Sequence, residues 1–138
     1  MSYLSNPAQH SPWRWLAIVL LLVNAAIHVN LTPMHLMEAP YIGLLFIVLS
    51  AACVILAALL AFRDNELVWM ATGALSALAL IAFLASRTVG LPQIDDDIGN
   101  WTEPLGILNM AVEALTALVT FAVLWSWREV TAPRATTR

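Results

Sequence analysis

Three groups of polar residues interrupt an otherwise apolar chain at spacings that suit chemistry. The first is Asn109, Glu113, Thr116 and Thr120, which follow one another at intervals of 4, 3 and 4. At about 100° per residue these positions share one face of a helix, and Thr102 extends the stripe. A carboxyl group in the middle of a hydrocarbon-spanning run is costly unless it is paired, hydrated or protonated, so Glu113 is expected to face a bundle interior. There it serves as a proton, metal or substrate ligand, or as a neutral acid hydrogen-bonded to Asn24 or Asn109. The second group is Asn24 and His28, an i, i+4 pair on one helix face. The third is His35 and Glu38, an i, i+3 pair. With His28 they offer two imidazoles and a carboxylate, a donor set suited to Zn, Cu or Fe, which Glu103 or Glu113 would complete. An ordinary hydrogen-bonded loop at the membrane interface accounts for the same residues. Haem is disfavoured, because the two histidines lie on consecutive elements at one edge.

Arg87 is the one base between the third and fourth apolar runs. It is expected to pair with Glu38, Glu103 or the Asp95-Asp96-Asp97 run, or to clamp an anion. The acidic triplet lacks the alternating ligands of a calcium loop and reads as a solvated segment. His10 reads as a solvated bystander, and Cys53, the only cysteine, as a small buried hydrophobe. The sequence contains no nucleophile elbow, phosphate loop, CxxC or HExxH and so offers no positive support for an enzyme.

The elements that position these residues follow from hydropathy. The chain is 61% hydrophobic and only 11% charged, where soluble domains sit near about 45–50% and 25%, so lipid is the expected solvent. A net charge of -3 argues against nucleic acid as a partner. Four apolar runs, at 13–31, 41–62, 67–86 and 104–125, are each long enough to cross a hydrocarbon core of about 30 Å. The fold expected is all-α, a four-helix transmembrane bundle over 13–127, with a flexible lead at 1–12 and a disordered tail at 128–138. Thr32-Pro33 reads as a helix start and Pro40 as a restart, which predicts a short interfacial turn at 33–39 before the second helix. Trp13, Trp15, Trp101, Trp125 and Trp127 suit interfacial anchoring. Gly73-x-x-x-Ala77 suits close helix packing. A cleaved signal peptide, cut near Ala25, competes with the first span.

The lead, the 63–66 loop and the tail together carry Arg14, Arg63, Arg128, Arg134 and Arg138, while the other two loops carry Arg87 alone. The positive-inside rule therefore puts both termini in the cytoplasm and the 28–40 and 87–103 segments outside. Arginine without a single lysine fits a GC-rich bacterial genome, and hence the inner membrane. An acid–proline–glycine pattern opens both outside-to-inside helices (Glu38, Pro40, Gly43 and Glu103, Pro104, Gly106). It is explained by helix-start electrostatics as readily as by an internal repeat.

The runs His-Leu-x-Glu-Ala-Pro-Tyr-x-Gly at 35–43, Ser-Arg-Thr-Val-Gly-Leu-Pro at 86–92 and Trp-x-x-Pro-Leu-Gly at 101–106, together with Glu113, resemble a group of small four-span bacterial integral membrane proteins. The resemblance covers most of 24–120. It implies the four-helix topology and carries no activity, cofactor or catalytic residue with it. Three functions are compatible with these features. One is a binding protein with an outward-facing polar pocket, holding a transition metal through His28, His35, Glu38 and Glu103. The second is a proton-coupled carrier using Glu113, with Asn24 and Asn109 along the path. The third is an accessory subunit of a larger membrane complex, or a homo-oligomer.

Overall fold

The first helix does not stop where proline chemistry says it should. In the computed structural model, which describes residues 11–131, α1 runs unbroken from Trp13 to Glu38 with Pro33 inside it. Pro33 removes one N–H from the ladder, but side chains reinforce the helix around it. The Thr32 hydroxyl donates to the His28 carbonyl at 2.7 Å, and ring Nδ1 of His35 lies 3.0 Å from the Leu31 carbonyl. The expected separate turn at 33–39 is thus the last part of α1, and the first span is longer than 13–31. The break comes at Ala39 alone, in an extended conformation (φ -144°, ψ 88°), because the residue before a proline is driven out of the helical region. Pro40 then begins α2, Pro40–Phe62, at a position where its missing N–H costs nothing. The hairpin is closed tightly: a Cβ on Gly43 would lie 2.8 Å from the Leu36 backbone nitrogen.

A short polar loop leads to α3, Glu66–Thr88, whose first turn is capped by Asn65 accepting from the Val68 N–H at 3.0 Å. Asp64, the residue before it, does something else. Its carboxylate is buried, accepting the Ser11 N–H at 2.7 Å and the Trp69 indole N–H at 2.6 Å. One side chain thereby ties the start of α1 to the α2–α3 loop. A single 3₁₀ turn, Asp95–Asp97, precedes α4, Pro104–Thr131. The fourth helix continues past 125 into the first residues of the expected tail. The rest of that tail and residues 1–10, including His10, lie outside the described residues.

The four helices are long and apolar enough to cross a membrane. Each packs against its chain neighbours, and α1 closes the ring against α4; the contact between α2 and α3 is the sparsest. The apolar core sits at the Asp64 end, where Leu21, Cys53, Leu60, Val68, Trp69 and Val123 pack together and Trp69 meets the Trp127 ring edge-on at 6.4 Å. At the opposite end α2 and α3 leave space between them.

The α3–α4 seam depends on a close approach. A Cβ on Gly73 would lie 2.6 Å from Cγ2 of Thr120. Gly73→Ala is expected to destabilise the bundle by about 1–3 kcal/mol through overpacking. Thr120→Ser, which deletes that methyl, should restore most of the loss in the double variant, as read from denaturation midpoints in mild detergent.

Candidate functional site

The space between the helices is a cavity of about 430 Å³. Its walls are hydrocarbon and aromatic: Leu45, Phe46 and Leu49 from α2, Leu75, Leu78, Ala79 and Phe83 from α3. Three lining residues of α2 and α3, Leu45, Val48 and Leu78, are more than half exposed, so the cavity is not sealed between these two helices.

Its polar end is built from α1 and α4. Glu113 is wholly buried, and Asn24, His28 and Asn109 are buried beside it. The helical spacing of four puts Asn109 one turn above Glu113, and its amide nitrogen donates to Glu113 Oε1 at 3.1 Å. The Asn24 side chain faces the same carboxyl from α1. His28 Nε2 lies 4.0 Å from Glu113 Oε1. The other ring nitrogen, Nδ1, sits 3.0 Å from the Asn24 carbonyl oxygen. A carbonyl can only accept, so Nδ1 carries the proton and a neutral His28 turns the Nε2 lone pair toward the carboxyl. Glu113 Oε2, Asn109 Oδ1 and Asn24 Oδ1 are buried without hydrogen-bond partners. In lipid, where water cannot reach such atoms from outside, each is costly until something supplies a donor.

The mouth carries charge. Buried Arg87 donates to Glu103 Oε2 at 2.6 Å, is ion-paired with the Asp97 carboxylate, and lies 4.9 Å from the centre of the Phe83 ring. The sequence named Glu38 as one partner for this arginine; the structure uses Glu103 and Asp97 instead. The acidic triplet is accordingly not wholly a solvated loop, since one of its members anchors the third helix end. Tyr41 closes the same rim by donating to the Pro92 carbonyl at 2.7 Å.

The candidate ligand set for a metal is not gathered. Glu38 is exposed at the last residue of α1, and Glu103 is engaged by Arg87. The Phe46 ring packs against both imidazoles, its centre 4.6 Å from that of His28 and 4.8 Å from that of His35. Among the described residues no three His, Cys, Asp or Glu side chains come together to hold a metal ion. The structure does bring together Asn24, His28, Asn109 and Glu113, with Arg87 and Glu103 at the rim of the same cavity. Sequence reasoning missed Phe46 and Phe83, which look like any other apolar span residues, and Asp64, whose burial depends on the distant Ser11 and Trp69.

No protein family, curated protein or solved structure matches the chain.

Arg87→Met would leave Asp97 and Glu103 without their counter-charge. Because both carboxylates keep some exposure (24% and 32%), water offsets part of the loss. The expected destabilisation is about 1.5–3 kcal/mol, the range for hydrogen bonds to charged groups. Arg87→Lys should recover less than half of it, since one ammonium cannot reproduce the two-armed pairing. Chemical denaturation in mild detergent followed by circular dichroism reads both variants.

Proposed function

We propose that this small multi-pass membrane protein binds a lipophilic molecule that enters from the bilayer between α2 and α3. The observation that carries this reading is the cavity itself. Its volume falls within the range of about 300–1,000 Å³ typical of small-molecule sites, and its lining is apolar with a few convergent polar groups at one end. A molecule delivered by lipid needs an opening at membrane level, which the sparse α2–α3 contact supplies. The metal reading has no assembled ligand set behind it and is not retained.

Charge supports an orientation. Arg14, Arg63 and Arg128 belong to the Asp64 end, while the cavity end has Arg87 alone, balanced by its own carboxylates. In a bacterial inner membrane the positive-inside rule then puts both ends of the described chain in the cytoplasm and the cavity in the outer half of the bilayer.

A carrier reading draws on one further observation. Buried Thr72, Ser76, Thr116 and Thr120 continue the polar surface below Glu113 along the α3–α4 seam, and Ser76 Oγ and Thr120 Oγ1 lack partners. None of the four lines the cavity, so a carrier would have to part the α3–α4 seam to use them.

Photolabelling in phosphatidylcholine vesicles tests the binding reading. A diazirine-bearing dodecanol should label the walls at Phe46, Leu49, Leu75 and Phe83 in preference to the lipid-facing Leu118 and Phe121. Ala79→Trp, which fills the cavity, should abolish that preference. Uniform labelling of all lipid-facing surfaces, unchanged by Ala79→Trp, would overturn it.

A further inference from the structure

The hydrogen-bonding character of the polar end selects among lipophilic molecules. This inference rests on the binding reading above and concerns the head group that the site takes. Two acceptors among the groups that line this end have no hydrogen-bond partner, Glu113 Oε2 and Asn109 Oδ1. The Nε2 lone pair of neutral His28 adds a third, because Nδ1 already donates to the Asn24 carbonyl. One of the donors nearby, an Asn109 amide N–H, is spent on Glu113 Oε1. A ligand that can only accept, such as a ketone or an ester, would leave those acceptors as unsatisfied as before.

Charge points the same way. The cavity is lined by three carboxyl groups, Asp97, Glu103 and Glu113, and one guanidinium. The Arg87 nitrogens Nη1 and Nη2 are committed to Asp97 and Glu103. Its remaining free donor, Nε, belongs to a cation already balanced by two anions. An anionic head group would meet a net negative mouth and a carboxyl floor. A cationic one would meet a net negative mouth and, at the floor, a carboxyl that can ionise to pair with it, and the aromatic faces of Phe46 and Phe83 along the wall are compatible with a cation.

We infer that the cavity takes a hydrocarbon-bodied primary amine, with the ammonium at the floor donating to Glu113, Asn109 or His28 and the chain lying between α2 and α3. Three N–H donors on one small head match a cluster of convergent acceptors. A quaternary ammonium has the charge without the donors, and an alcohol has one donor without the charge.

Competition against the dodecanol photolabel in neutral phosphatidylcholine vesicles separates these heads at constant chain length. At equal mole fraction in the bilayer, dodecylamine is expected to displace the label about tenfold better than dodecanol, the advantage of a charge-assisted over a neutral hydrogen bond. Dodecyltrimethylammonium should fall between them and dodecanoate should be weakest. Glu113→Gln should remove the advantage, bringing dodecylamine down to the level of dodecanol measured on the same variant. The wild-type series stands even if that variant folds poorly. Equal displacement by amine, alcohol and carboxylate, or an amine advantage that survives Glu113→Gln, would overturn the head-group assignment and leave the lipophile reading intact. Uniform labelling that no competitor reduces would overturn both.

Discussion

A carboxyl group with no exposure, on a helix that crosses lipid, constrains everything around it. Glu113 cannot turn to solvent, so neighbouring helices must bring polar side chains to it. α4 supplies Asn109 one turn away, and α1 supplies Asn24 and His28. This fixes the faces that α1 and α4 present to each other. The tight hairpins α1–α2 and α3–α4 then carry the other two helices along. The contact that closes the ring is therefore partly polar, whereas the hairpin contacts depend on small residues and close backbone approach, as at Gly43 and Gly73.

The two ends of the bundle differ for identifiable reasons. Near Asp64 the α2–α3 loop is short, the buried carboxylate holds Ser11 and Trp69, and the interior fills with leucine, valine and tryptophan. At the other end α3 and α4 are joined by a long loop, and Arg87 holds that loop through Asp97 and Glu103. There α2 is tied to the loop after α3, through Tyr41 and Pro92, and alanines at 79 and 82 leave the volume between the helices unfilled. The cavity is a consequence of where the bulky residues are placed, and its polar end is a consequence of the buried acid.

Hydropathy made the four spans legible in sequence, because lipid solvation demands long apolar helices whatever their packing. The stripe through Asn109, Glu113, Thr116 and Thr120 was legible for the same reason: periodicity is a local property, and all four residues are buried. The Thr32-Pro33 signal misled, since a proline that starts a helix and one tolerated within a helix look alike until the side chains of Thr32 and His35 are seen bonding to the carbonyls around it. The expected metal set is not gathered, because four residues of two types at one membrane edge say nothing about direction. Glu38 is exposed, Glu103 is taken by Arg87, and an aromatic ring packs against both histidines. Helix rotation and the α2–α3 separation, which create the cavity, are tertiary quantities with no local signature.

The central claim is that an ammonium reaches the Glu113 carboxyl inside the membrane. The most direct measurement is magnetisation transfer by solid-state NMR between ¹⁵N-labelled dodecylamine and ¹³C-labelled glutamate carboxyls in phosphatidylcholine bilayers. The account predicts a contact of about 3–4 Å, hydrogen-bond range, to a single carboxyl resonance that disappears in Glu113→Gln. Dephasing confined to resonances that persist in that variant, or no dephasing at saturating amine, would contradict it.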